Sequence, residues 1–388
     1  MIIAPWNAAQ WVNCHGSVLM QTLYPAPQGE QSEAQLEGKA FHYTVAKILT
    51  AWRDADASIP TMRDLVGEMT PHNVVIDETM AQSAIDYVTN IMKYVNDHGL
   101  LRHLQVEERI DLSSILGEGK YGIPDVLIWD AKRCELLIDD GKYGQRKVEA
   151  FENWQLIIYA IAYIDTVLNA NGLMDQNITV RMRIFQPRCY DVEGPYREWV
   201  VKGDELRAYR NDINYAIAAA NSDSPSCKPG QWCRGSYCSA AHVCDSLQTS
   251  VYNYLDHIDA ALPIELDPAS LSAEYLILKD AEERLKARKT AIEEQCIGLI
   301  TRGQNLPGLA TKQGYGRERW RKDVPHDEII MMGDLLGEDI RKPAELDTPA
   351  QCRKKGIDES VISQYSETPK TAIKLVKDDG SKARQVFR

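Results

Sequence analysis

The sequence predicts an α/β fold, a central mixed sheet of about five strands flanked by helices, with a helical insert and a C-terminal helical extension. Three observations predict it. Two short runs rich in Val, Ile and Leu, GIPDVLIWD and CELLIDDGKYG, are bounded by turn residues and read as the strands of a hairpin. Glu149 to Leu168 then has helical periodicity. Asn177 to Gln186 and Arg197 to Val201 return to strand patterning.

The remaining elements fall in order around this centre. Trp11-Val12-Asn13-Cys14-His15-Gly16-Ser17 closes a short amphipathic segment, and LEGKAFHYTVAKILTAW reads as a helix containing His42. A histidine there is either a packed or surface side chain or a ligand. Residues 60–100 read as a helical lid or spacer, with Ile76-Asp77-Glu78 as a start and His98-Gly99 as a stop. His103 to Leu112 alternates like a strand, which puts Glu107 and Glu108 on opposite faces, one of them the face that carries Asp125. Asp204 to Ala220 is a helix, and Ser270 to Thr301 is a long one, rich in Lys, Glu, Ala and Leu. Residues 1–250 therefore read as one core with a helical insert near residues 50–100, and 251–388 as a C-terminal helical region with a partly ordered tail.

The hairpin carries the chemistry. A four-residue loop, Ala131 to Cys134, makes facing residue numbers sum to about 265. Asp125 then faces Asp140, with Cβ atoms roughly 5 Å apart. Carboxylates that close repel and raise one pKa unless a cation sits between them. Lys142, two residues on, projects from the same face as Asp140. Two acids, a lysine and a glycine turn at Gly144 are suited to a divalent cation. On the helix that follows, Gln155 and Tyr159 stand at i and i+4 on one face.

Cysteine usage points to a second metal. Cys227, Cys233, Cys238 and Cys244 fall within 18 residues among Gly, Pro and Ser. Thiolates so crowded bind a soft metal, either zinc or an iron–sulfur cluster, and spacing alone does not separate the two. Cys134, Cys189, Cys296 and Cys352 are isolated and read as buried thiols. With nine cysteines and no signal peptide at the start, the chain reads as cytoplasmic rather than as a disulfide scaffold.

Composition narrows the partners. The net charge of −12 divides as +3 over residues 301–388 (17 Lys+Arg against 14 Asp+Glu) and −15 over the rest, so any phosphate-binding surface is a local stripe. Gln313 to Lys322 places Arg317, Arg319 and Trp320 together, a composition that suits phosphate contact with stacking and equally a solvated loop. No apolar run approaches the roughly 20 residues that span a bilayer. No G-x-x-x-x-G-K-[ST] pattern offers an ATP site.

Pro124-Asp125, Asp140-Gly141-Lys142 and the later QLIIY (Gln155 to Tyr159) together resemble the RecB-like branch of the PD-(D/E)XK nucleases. WVNCHGS, EGKAFH, QPR, PGQWC and the C-terminal TPAQ segment extend the likeness to a phage and prophage family of such proteins, otherwise grouped as a domain of unknown function. The resemblance implies a restriction-endonuclease-like core, dependence on Mg2+ or Mn2+, and DNA cleavage beside a single-strand annealing protein. By the same resemblance His42, Asp125, Asp140 and the Gly141 carbonyl are metal ligands, and Glu107 assists. Lys142 positions or deprotonates the attacking water, with its pKa lowered by the metal, and Gln155 and Tyr159 orient the DNA. Cys14, Cys233, Cys238 and Cys244 match the four ligands of the [4Fe-4S] cluster in AddB-type and CRISPR-associated nucleases. The spacing here is C-x4-C-x5-C where relatives have C-x2-C-x5-C, and Cys227 is extra, so the choice of four ligands and zinc as the metal stay open. A staple from Cys14 to Cys233 would close a loop of about 220 residues. The activity so implied is a 5′ to 3′ exonuclease. The rival reading is a non-catalytic DNA-binding or scaffold protein on a decayed nuclease fold.

Overall fold

The computed structural model describes residues 3–26, 32–191, 194–233, 238–258 and 267–311, with Met331 and Leu335. The chain divides into two units, Met1–Arg317 and Glu318–Arg388. All elements named below belong to the first, including the long helix that sequence patterning assigns to the C-terminal region.

Runs of Val, Ile and Leu with no polar alternation belong in a sheet covered on both sides, and the central sheet is covered on both. Its strands are β1 (Leu104–Val106), β4 (Val126–Asp130), β5 (Glu135–Gly141), β6 (Thr179–Phe185) and β7 (Tyr196–Lys202), in the order β1-β4-β5-β6-β7. Only the β5–β6 pairing is parallel, so the sheet is mixed. Two-residue strands β2 (Ile110–Asp111) and β3 (Tyr121–Gly122) form a separate ribbon. The main helices are α1 (Gly16–Leu23), α2 (Glu33–Ala55), α3 (Glu78–His98), α4 (Trp154–Tyr163), α5 (Leu206–Ala220), α6 (Asp245–Ile258) and α7 (Pro268–Thr301).

Strand parity assigns the two faces. Leu127, Leu136 and Ile138 point to a core shared with α4 and α5, whereas Val126, Ile128 and Leu137 point to a core shared with α2 and α3. A third, smaller cluster holds Cys233, Cys238 and Cys244 with Leu247, Val251, Ala287 and Ala291 of α6 and α7.

The α3 boundaries follow their local signals. The Asp77 side chain accepts from the Met80 N–H at the start, and Gly99 takes the left-handed conformation at the end. Two elements differ from the sequence expectation. The helix after the hairpin begins at Trp154, not Glu149, because Asn153 caps it and the preceding residues form a loop. The predicted strand His103–Leu112 breaks at Glu107, which adopts φ 48, so β1 and β2 join different sheets.

Candidate functional site

The loop length of the β4–β5 hairpin decides what meets at its open end. Val126 pairs with Asp139 and Asp130 with Glu135, every pair summing to 265. Cys134 turns at φ 49, and the Asp130 side chain accepts from the Lys132 and Arg133 N–H groups. One residue beyond the last pair, the same register sets Asp125 across from Asp140.

Asp125 is held from three sides. Its Oδ2 accepts the Gly141 N–H at 2.7 Å and meets His42 Nδ1 of α2 at 3.1 Å, and its carbonyl accepts the Glu107 N–H at 3.0 Å. Glu107 arrives there through its left-handed backbone rather than as a strand acid. One ligand atom each from His42, Glu107 and Asp125 lies within 4.8 Å of the others, a spacing a single cation can bridge. Gly141 packs against Phe41, where a Cβ would approach Phe41 Cε1 to 3.0 Å.

Asp140 and Lys142 form the other half. Lys142 Nζ lies 2.6 Å from Asp140 Oδ2, and Gln155 spans the pair, donating to Asp140 Oδ1 at 3.2 Å and accepting from Lys142 Nζ at 3.1 Å. Gln155 is the second residue of α4, so the Asn153 cap fixes it. Tyr159, one turn on, is 5% exposed. Its ring fills the space where Gly122 lacks a Cβ, and its hydroxyl reaches the Ile123 carbonyl at 3.5 Å. In this arrangement Gln155 braces Asp140 and Lys142 and also lines the cleft beside them, while Tyr159 is buried against the Ile123–Asp125 turn.

The charges settle as two crossed pairs. Burial alone would lower the His42 pKa, but the Asp125 carboxylate outweighs it and raises it to about 9. Burial pushes Asp140 up to about 6, with Lys142 pulling down and Asp125 pushing up. Asp125 is held below the usual range, its burial overcome by His42. Burial would depress Lys142, yet the Asp140 carboxylate outweighs it and raises the ammonium above its usual range. Glu107 is raised by burial and by Asp125. The two acids thus use His42 and Lys142 as their counter-charges, and His42 can ligate a cation only by giving up its proton.

Cys14 and the cysteine segment also come near each other. The short turn before α1 carries Cys14 to the loop of Cys227, whose thiol hydrogen-bonds with both Cys14 and Cys244. Those bonds lower Cys14 to about 7 and Cys244 to about 6 and raise Cys227. Burial lifts Cys233 to about 12 and Cys238 to about 11. Lys228 N–H donates to Cys14 Sγ at 3.3 Å and Gly230 N–H to Cys233 Sγ at 3.4 Å. Gly16 is obligatory here, since a Cβ would lie 2.5 Å from Cys227 Sγ. Backbone N–H groups thus point at two of the sulfurs, an environment that suits thiolates and a thiophilic metal.

Residues 2–381 match the family model described as "Protein of unknown function (DUF2800)". The chain belongs to this family. In this DUF2800 member the tripeptide Gln186-Pro187-Arg188 has a structural role that its sequence does not announce. Gln186 is fully buried, donates to the Gly144 and Arg146 carbonyls at 2.8 and 2.6 Å, and accepts from the Val148 N–H at 3.0 Å. It pins the loop that leaves Lys142, and Phe185 beside it accepts the Lys142 N–H at 2.7 Å. Arg188 pairs with Glu37 of α2 at 2.7 Å, linking that loop to the helix of His42. A glutamine between a strand and Pro is the one signal for this role. Arg317, Arg319 and Trp320 lie outside the described residues, as does Cys352. Among the described residues no helix is long and apolar enough to cross a membrane.

Proposed function

We propose that this chain is a metal-dependent deoxyribonuclease of the PD-(D/E)XK type. The observation that carries the reading is the convergence of Asp125, Asp140 and Lys142 at the open end of one hairpin, with His42 and Glu107 closing the site. The donors are carboxylate oxygens and one imidazole, which fits a hard divalent ion such as Mg2+ or Mn2+. His42, Asp125 and Asp140 would hold it, with the Gly141 carbonyl beside them and Glu107 able to reach it directly or through water. When bound, such an ion polarises the scissile phosphate and lowers the pKa of water.

The chain's own groups do the rest. Gln155 holds Lys142 and Asp140 at fixed distance, so the ammonium is already placed when substrate arrives. Lys142, kept charged by Asp140, donates to the attacking water or to the phosphate oxygens, where negative charge grows. Phe41 and Tyr87 close the far side of Gly141 and keep bulk water from that side of the acids. The five-thiol site supports a structural metal, a [4Fe-4S] cluster held by Cys14, Cys233, Cys238 and Cys244, with Cys227 as a competing ligand and zinc as the alternative metal. Its role is to tie the N-terminal turn to the segment after α5, with no electron transfer in the hydrolysis.

We favour exonucleolytic, 5′ to 3′ cutting of duplex ends, in the cytoplasm of a bacterial host and in partnership with a phage annealing protein; these rest on the family likeness. A non-catalytic DNA-binding scaffold is the rival. The deciding experiment incubates the purified chain with end-labelled linear and circular DNA in Mg2+ or Mn2+. Cleavage of linear DNA that EDTA stops and added metal restores is expected. Absence of metal-dependent cleavage on both substrates favours the scaffold. A brown chromophore separates iron–sulfur from zinc.

A further inference from the structure

Beside the acids and Lys142 a cleft of about 1130 Å³ opens and runs to the cysteine loop. Its size, at the upper end of small-ligand pockets, has room for an extended molecule. Segments far apart in sequence wall it, among them the turn Pro5–Asn7, the loop from Lys142 to Gln155, and Gln231, Trp232, Cys238, Ser239 and His242.

Two indoles on those walls are unusually placed. Trp6 is 74% exposed, although its neighbours Pro5 and Asn7 are buried. The Asn7 side chain accepts the Ala4 N–H at 3.2 Å and fixes the turn that presents the ring. Trp232 is anchored by its own loop: Nε1 donates to the Lys228 carbonyl at 2.7 Å, and its ring occupies the place of a Gly230 Cβ, which would sit 2.5 Å from Trp232 Cζ2. Gln10 reaches the Trp232 carbonyl at 3.4 Å, joining the two walls. Trp6 fills none of the core clusters, whereas Trp232 is half-buried, packed in part against the cysteine cluster with the rest of its ring on the cleft. Preorganised aromatic faces along a polar cleft are how proteins hold unpaired nucleic acid, because each base offers a π-face and little ordering is left to do on binding.

Charge argues for the same occupant. Lys142, Arg146 and Lys147 stand at the end nearest the acids, but Glu149, Glu152 and Glu294 also line the cleft, and Lys147 is paired with Glu149 and Asp191. Such a wall attracts dense duplex phosphate weakly. It suits a strand held by stacking, with cations only where phosphate is cut.

We propose that the strand to be cut lies unpaired in this cleft with its bases stacked on Trp6 and Trp232, so that the cysteine loop is a substrate-binding wall as well as a staple. The proposal rests on the nuclease reading of the hairpin site and specifies its substrate: single-stranded DNA, or a duplex end with an unpaired tail.

The test uses the full chain and two readouts. The first is affinity for fluorescein-labelled oligo(dT) of 4, 8 and 16 nucleotides, by anisotropy in EDTA. The second is Mn2+-dependent hydrolysis of thymidine 5′-(p-nitrophenyl phosphate), which offers the hairpin site a single nucleotide in place of a strand. Trp6→Ala and Trp232→Ala should each weaken binding of the 16-mer about 5- to 100-fold. The loss of oligo(dT) affinity should exceed any change in ester hydrolysis, and Trp6→Phe and Trp232→Phe should restore most of the affinity. Wild-type affinity in both alanine variants would overturn the strand path, as would blunt duplex binding as tightly as oligo(dT) with the same dependence on the indoles. Loss of ester hydrolysis in the wild type, with oligo(dT) binding still sensitive to the indoles, would instead sink the nuclease reading and leave the cleft assignment standing.

Discussion

Asp139 and Asp140 are adjacent on β5, both almost fully buried, and they do different work. Asp139 points toward α2 and α3, where Arg183 of β6 meets it at 2.5 Å and is itself held by Asn90 at 2.7 Å and stacked over Tyr196. Its counter-charge is locked inside. Asp140 points the other way, to Lys142, which remains about a quarter exposed beside the cleft. Burial raises both acids, and in both a cation pulls back. The lesson is that identity and burial do not separate a structural acid from a chemical one; what separates them is whether the partner can be reached from outside.

Substitutions can break this comparison. Asp140→Asn should lower cleavage at least about 10²–10³-fold, since it removes an anionic ligand from the reacting centre. Asp139→Ala should cost about 3–5 kcal/mol of stability by stranding Arg183, with activity falling only as the folded fraction falls. Urea unfolding and initial rates measured on both proteins check this, and equal stability losses would erase the distinction.

The cysteine site should behave like Asp139. Under the iron–sulfur proposal Cys14→Ser removes the ligand that reaches across the chain, so a chromophore should go and Tm should drop on the order of 10 °C. Cleavage of the small ester at low temperature should persist. Loss of that hydrolysis at full folding would place the cluster in the chemistry.

Glu135, at the far end of β5 and on the Asp139 face, gives the smallest effect. Its burial would raise its pKa, but the Arg181 hydrogen bond and Tyr94 hold it below the usual range. A lowered folded value means its stabilisation is complete above the unfolded pKa, about 4.3. It drains away as pH falls through and below that value. Glu135→Gln should therefore be less stable than wild type at pH 7 and approach it below about pH 4, read by denaturant midpoints across that range.

Much of this arrangement is legible in the residues, and its gaps have physical causes. The Ala131–Cys134 loop fixes the hairpin register, and a period of two then separates Asp140 and Lys142 from Asp139. Asp77 and Gly99 mark α3 because caps are local. Glu107 escapes such reasoning, since its left-handed backbone is imposed by the Asp125 carbonyl across the sheet edge. The late start of α4 has a similar origin: residues 144–148 are held by Gln186, nearly 40 positions away in sequence. Cys227 could be counted but not placed, because only folding shows it between Cys14 and Cys244. Trp6 and Trp232 read as ordinary aromatics until their exposure and anchoring are seen.

We hold that Asp125 and Asp140 would bind a hard cation beside Lys142, where water attacks the phosphodiester, and Lys142→Ala tests this most directly. Mn2+ and oligo(dT) binding by calorimetry are measured beside cleavage of end-labelled linear DNA. The account predicts both ligands bound by the variant and cleavage down at least about 10²-fold. Cleavage by Lys142→Ala at the wild-type rate would contradict it.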